Sequence, residues 1–194
     1  MKFKEPVSIV HVPSLDRFFV CTRAGLLSSF QNRPDAKPEL AFDFPKQLNR
    51  ETWPPTAHRV QVLYSIAFHP RFAENRYCYV CYALRRDLEV DGLRDGARIS
   101  RFRVTDSNPP QLDPNSEEIV LAWEQGGHNG CDLQFGPDGY LYISTGDGRP
   151  PSPPDAWHTG QDITDLMSSI LRIDVDRREG EKNMVSQRTI HSSE

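Results

Sequence analysis

The segment "DLQFGPDGYLYISTGDG" (residues 132–148) contains two short apolar runs joined by a Pro-Asp-Gly turn. Apolar or alternating runs of four to eight residues on either side of such a turn predict two antiparallel β-strands. Two upstream segments, residues 8–30 and 65–84, have the same arrangement. In all three a proline follows the first strand: Pro13, Pro70 and Pro137.

Further strands follow each hairpin and complete a repeat. A third strand is predicted at residues 98–104 in the second repeat and at residues 169–175 in the third, and a fourth at residues 39–44 and 117–123 in the first two. Units of three or four antiparallel strands are typical of β-propeller blades. The chain is therefore predicted to be all-β, a partial propeller of about three four-stranded blades. An irregular β-sandwich is the alternative.

Composition and charge exclude several classes of partner. The chain of 194 residues has a net charge of −4, which argues against nucleic acid or an anionic membrane as the natural partner. No apolar run is long enough for a transmembrane segment. The first residues, "MKFKEPVSIVHVPS", lack the apolar core of a signal peptide, so the sequence leaves the location unknown.

The four cysteines include the pair Cys78 and Cys81 in "RYCYVCYAL". The C-x-x-C spacing suggests zinc or redox chemistry, but the segment has the composition of a strand, where residues three apart point to opposite faces. We therefore predict that both are buried packing thiols.

Three motifs in this order resemble one known family. They are "LYSIAFHPRFAENRYCYVCYA" (residues 63–83), "GGHNGCDLQFGPDGYLYISTGDG" (residues 126–148) and "SSILRIDVD" (residues 168–176). The chain resembles the soluble glucose/sorbosone dehydrogenases, the PQQ-dependent aldose sugar dehydrogenases, with Hedgehog-interacting-protein-like proteins as relatives. The resemblance covers roughly residues 5–182 and implies a six-bladed propeller, of which this chain holds part. Within the first motif, His69 is interpreted as a structural corner residue.

The resemblance also implies a reaction and its cofactors. An aldose is oxidised at C1 to the lactone, His128 acts as general base, and hydride passes to PQQ. Calcium polarises the quinone oxygen, and a cytochrome or quinone then accepts the electrons. A histidine titrates near neutral pH, which suits this role. Without the resemblance, His128 would be interpreted as an ordinary loop residue.

Other site residues follow from the same resemblance. A cofactor-contacting glutamine of the family matches Gln61, although the spacing also admits Val60. Asn129 and Asp132 flank the histidine and are candidate cofactor contacts, with turn residues as the alternative interpretation. Asp147, at a strand end, is a candidate calcium ligand, although calcium usually takes six to eight oxygens.

Two other functions remain open. One is a non-enzymatic propeller binding module of the Hedgehog-interacting-protein-like type. The other is a calcium-dependent lactone hydrolase, which needs several carboxylates and amides around one metal. Members of the family are usually periplasmic or secreted.

The resemblance ends at Lys182, so we divide the chain into a propeller domain (residues 1–182) and a tail (residues 183–194). The tail, "NMVSQRTIHSSE", read with a shift of two bases, permits the continuation that the family would have. We therefore expect an aberrant, disordered tail produced by a frameshift. A divergent natural tail is the alternative.

Overall fold

The computed structural model describes residues 2–86, 96–126, 128–148 and 155–177, together with the backbone of residues 185–189. The strands form three four-stranded antiparallel sheets, which we call blades 1 to 3. Blade 1 contains β1 (Pro6–Val12), β2 (Arg17–Thr22), β3 (Leu26–Gln31) and β4 (Glu39–Asp43). Blade 2 contains β5 (Ala57–Phe68), β6 (Tyr77–Arg86), β7 (Gly96–Arg103) and β8 (Glu118–Glu124). Blade 3 contains β9 (Leu133–Phe135), β10 (Leu141–Ser144), β11 (Ile170–Asp174) and β12 (Val185–Thr189).

Helices are short in the described part of the chain. Two single-turn α-helices are present, α1 (Phe44–Gln47) and α2 (Phe72–Asn75). The 3-10 turns are Pro13–Leu15, Arg50–Thr52, Pro114–Ser116 and Thr159–Gln161. None of the described helices is long and apolar enough to cross a membrane.

The first strands of the blades lie side by side as inner strands, with β5 in contact with both β1 and β9. Residues from the proline-containing ends of β1 and β5 meet β9 in one cavity, which includes Pro13, Pro70 and Phe135. We call this the lower rim; the amino-terminal ends of the inner strands therefore form the opposite, upper rim. Three sheets packed in chain order in this way confirm the predicted all-β partial propeller.

Two apolar clusters hold the blades together, one on each face of blade 2. Cys78, Val80 and Tyr82 pack toward blade 1, whereas Tyr79 and Cys81 pack toward blade 3. The alternation of a strand places these neighbours on opposite faces, as predicted for the two cysteines.

The prediction for Cys81 was nevertheless wrong in one respect. Cys81 is buried, but it forms a disulfide with Cys131, 50 residues further along the chain. The partner lies in the loop before β9, which the packing of blade 3 on blade 2 brings to β6. Cys21 and Cys78 are the buried free thiols, and burial raises the pKa of both.

His69 joins blades 2 and 3 at the lower rim. The imidazole is buried; its Nδ1 accepts the Arg71 backbone N–H (3.0 Å), and its Nε2 lies 3.3 Å from Asp176 Oδ1. Because Nδ1 accepts, the proton of the neutral ring is on Nε2. Burial lowers the pKa of His69, and Asp176 opposes this effect only in part. These contacts support the interpretation of His69 as a structural corner residue.

The tail differs from the expected disorder where the structure describes it. The backbone of residues 185–189 forms β12, paired antiparallel with β11 from Ile170 to Asp174. The exposed edge of β11 offers unpaired backbone groups, which an extended segment can satisfy. The rest of residues 183–194 lies outside the described residues, and their origin in a frameshift stays a prediction.

Candidate functional site

All five predicted site residues lie near the upper rim, where the inner strands begin. His128 and Asn129 precede β9, Asp147 follows β10, and Gln61 lies in the first half of β5. The fifth, Asp132, immediately precedes β9.

His128 and Asp147 form a pair. His128 Nδ1 lies 2.9 Å from Asp147 Oδ1, and the two side chains are 62% and 30% exposed. A carboxylate only accepts hydrogen bonds, so the pair places a proton on Nδ1 and leaves Nε2 of the neutral ring with a free lone pair. An imidazole held in this tautomer by a carboxylate has the arrangement of a general base.

Glycines allow the two loops that carry this pair to approach closely. A Cβ on Gly146 would lie 1.4 Å from the His128 carbonyl oxygen, and one on Gly126 would lie 2.2 Å from the Asp147 carbonyl oxygen. Gly130 adopts φ +61°, a conformation that glycine tolerates best. The sequence G-G-H-N-G followed by T-G-D-G therefore describes two backbones in contact, and any side chain at Gly126 or Gly146 would separate them.

Gln61 lies at a β-bulge. The pairing of β5 with β6 shifts between Val60 and Val62, so Gln61 has no opposing residue, and such bulges redirect side chains. The Gln61 side-chain oxygen accepts a hydrogen bond from the side-chain amide of Gln125. Val60, the other residue that the spacing admitted, is buried in the core between blades 1 and 2.

Another bulge of the same strand lies at Tyr64, between Leu63 and Ser65. Burial raises the pKa of Tyr64, while a hydrogen bond with the Asn129 side chain and the positive charge of Arg23 act against it. Asn129 is 3% exposed, and its Oδ1 has no hydrogen-bond partner among the described residues. A buried amide oxygen of this kind is costly unless a ligand or water supplies a donor.

The structure separates the roles of Asp132 and Asp147. Asp132 is tied to blade 3, with its N–H donating to Ser144 Oγ (2.9 Å) and its carboxylate accepting from Gln134 Nε2 (3.3 Å). Asp147 contacts His128 instead. Among the described residues, no group of three or more His, Cys, Asp or Glu side chains could hold a metal ion. A calcium-binding role for Asp147 stays a prediction.

Gln125 and Tyr64 are site residues that the sequence analysis missed. Gln125 is fully buried and directly precedes the Gly-Gly-His segment in the sequence, so its place in the sequence carried a usable signal. Tyr64 gave none, because strand alternation puts it on the face opposite to Gln61. The bulges interrupt this alternation, so the side chains of Gln61 and Tyr64 both contact residues between 125 and 129.

Comparisons with known proteins agree with this architecture. The family model for glucose/sorbosone dehydrogenase matches residues 3–193. Hedgehog-interacting protein from Mus musculus is 30% identical over 177 residues, which cover 89% of this chain and 25% of that protein. The Homo sapiens protein is 36% identical over 117 residues, covering 59% of this chain and 16% of its own length. The chain thus spans a quarter or less of these curated relatives.

Solved structures share the fold. The PQQ-bound form of aldose sugar dehydrogenase from Streptomyces coelicolor superposes with a TM-score of 0.66 at 22% identity, over 90% of this chain and 46% of that one. The apo-form enzyme from Escherichia coli gives a TM-score of 0.60 at 20% identity, over 88% and 44%. On the extent of the family match, this chain belongs to the glucose/sorbosone dehydrogenase family.

Proposed function

We propose that this chain provides the base-carrying half of a PQQ-dependent sugar dehydrogenase, which oxidises an aldose at C1 to the lactone. The observation that carries the proposal is the His128–Asp147 pair at the rim where the inner strands begin. A PQQ-bound aldose sugar dehydrogenase of the same fold supports it.

The residues of the rim suit their parts in this reaction. His128 Nε2 takes the proton of the C1 hydroxyl as hydride leaves C1, and Asp147 stabilises the imidazolium that results. PQQ, when bound, supplies the hydride acceptor. The close contact between Gly146 and the His128 backbone holds the base in place and Asp147 orients its ring, so little reorganisation is needed at the moment of proton transfer.

Polar side chains near the upper rim fit a polar cofactor such as PQQ. The buried Asn129 Oδ1 has no donor among the described residues and would accept a hydrogen bond from the cofactor, and the Gln61 side chain lies near the same segment. The Arg23 guanidinium, close enough to Tyr64 to influence its pKa, offers a positive charge for a carboxylate. These three side chains would hold PQQ. For calcium the described residues provide no comparable set, and it enters by family resemblance.

A periplasmic or secreted location is part of the proposal. The Cys81–Cys131 disulfide supports it, because such bonds persist mainly in oxidising compartments.

A test is reconstitution with PQQ and calcium, followed by aldose-dependent dye reduction. The assay uses this chain and a form continued beyond Lys182 in the frame shifted by two bases. We expect activity only in the continued form, lost in His128→Ala and kept in His11→Ala, which removes a histidine at the opposite rim. Full activity of the continued form with His128→Ala would contradict the catalytic assignment.

The match to Hedgehog-interacting protein favours a second candidate, a propeller that binds a protein partner without a quinone. A titration of the continued form with PQQ separates the two. A continued form that binds no PQQ, with a folded rim, supports the binding module.

A further inference from the structure

The loop that carries His128 is attached to its own blade by hydrogen bonds. We call residues 128–132 the histidine loop. The Gly146 N–H donates to the Asn129 carbonyl (3.0 Å), and the Ser144 N–H donates to the Asp132 carbonyl (3.1 Å). These bonds go to β10 and the residues after it, so they join the loop to blade 3.

A covalent bond attaches the same loop to blade 2. Cys131 is bonded to Cys81, with 6.4 Å between the two Cα atoms. Cys81 is fully buried in the middle of β6, where it pairs with Ser65 on β5 and with Ile99 on β7. The anchor is therefore a central position of a sheet that is buried on both faces, while His128 lies three residues from the other end of the bond.

The backbone of the loop also needs an external restraint. Cys131 has φ +104°, a conformation that costs free energy for a residue with a side chain. If Cys131 relaxed to a negative φ, the direction of the chain before it would change, and the close contact between His128 and Gly146 would be lost. The bond to Cys81 opposes this relaxation.

We propose that the Cys81–Cys131 disulfide is a clamp that positions His128 against Asp147. Blade 2 thereby controls the tautomer of an imidazole that belongs to blade 3. Cys131 is a positioning residue; its consequence for catalysis rests on the proposed function, whereas the clamp itself does not.

The clamp is tested on this chain without cofactor, by comparing Cys131→Ala and Cys81→Ala with Cys21→Ala. The last variant is the matched control, because Cys21 is as fully buried as Cys81 but is a free thiol. Peptide mapping first verifies the 81–131 bond in the unchanged protein. Amide hydrogen exchange is then followed at Gly146 and Ser144, which report the attachment of the loop, and at the amides of β2 as a reference for global unfolding.

We expect exchange at Gly146 and Ser144 to accelerate about tenfold relative to β2 in both disulfide variants and not in Cys21→Ala. The imidazole ¹⁵N signals should show His128 leaving the Nδ1–H form for a mixture of tautomers in the same two variants. A purely structural bond would not produce this second change at constant fold.

Three outcomes overturn the proposal. They are unchanged exchange at Gly146, acceleration that is equal in β2 and in blade 3, and failure of both variants to fold, which would make the bond a requirement of the whole domain. Absence of dehydrogenase activity in the form continued beyond Lys182, with the loop attachment intact, would instead count against the proposed function alone.

Discussion

Replacing Gly146 by alanine tests whether contact between two backbones holds the candidate site together. The new Cβ would lie 1.4 Å from the His128 carbonyl oxygen, while real Cβ contacts do not fall below 3.0 Å, so the loops must separate by about 1.6 Å, the difference between these values. The backbone of Gly146 does not adopt a positive φ, and the effect therefore comes from contact alone.

The magnitude follows from what this separation breaks. The Gly146 N–H to Asn129 carbonyl bond, now 3.0 Å long, is lost, and leaving the carbonyl of the buried Asn129 without this partner costs roughly 1–3 kcal/mol. The exposed His128–Asp147 pair adds less than about 1 kcal/mol. We expect the free energy of unfolding to fall by about 3 kcal/mol and the Tm by roughly 10 °C for a domain of this size.

The assay is urea unfolding followed by circular dichroism, with Gly160→Ala as the control. Gly160 also lies in a loop segment of blade 3, but a Cβ there would meet nothing within 4 Å. Alanine at this position should change stability by no more than about 1 kcal/mol, in either direction. Equal unfolding midpoints for Gly146→Ala and Gly160→Ala, at equal denaturant slope, would refute the reasoning.

Two other predictions concern buried polar groups. The pKa of His69 in the folded protein lies below its ordinary value of 6.5, so the unfolded chain takes up the proton first and stability is lost as pH falls below about 6.5. Urea unfolding between pH 7.5 and 5.5 should show a steeper loss for the unchanged protein than for His69→Gln; parallel curves would contradict this. The fully buried Tyr82 donates its hydroxyl to Glu117 Oε1 (2.6 Å). Tyr82→Phe should therefore lower the free energy of unfolding by roughly 1.5–3 kcal/mol, and a change under about 0.5 kcal/mol in the same measurement would show that the bond is dispensable.

Much of the fold could be predicted because strand alternation is a local property. The hairpin around Pro137 and the strand at residues 169–175 were found within a few residues of their positions in the structure. The strand β5 was predicted from residue 65 but begins at Ala57. It contains three register shifts, all of them before Ser65, and each bulge interrupts the alternation on which the prediction depends.

The contacts of the site were harder to predict because they depend on packing between blades. His128 was identified by family resemblance, but its pairing with Asp147, 19 residues away, depends on two glycine-containing loops in contact. The Cys81–Cys131 bond joins residues 50 apart in different blades. A spacing rule such as C-x-x-C considers only cysteines that are close in sequence, whereas the partner of Cys81 is distant in sequence and close only in the folded structure.

Under the proposed function, the positions of these contacts divide the requirements for catalysis between two parts of a ring. The contacts described for His128 and its loop come from blades 2 and 3: Asp147, the residues around Gly146, Tyr64 through Asn129, and Cys81. The base can therefore reach its working tautomer in an arc of three blades. A closed ring of blades is needed to exclude water and to surround a cofactor, because an incomplete ring leaves one side of the inner strands open to solvent. It follows that the geometry of the base and the ability to turn over sugar are separable properties, and that intact loop attachment in this chain does not require the chain to be active.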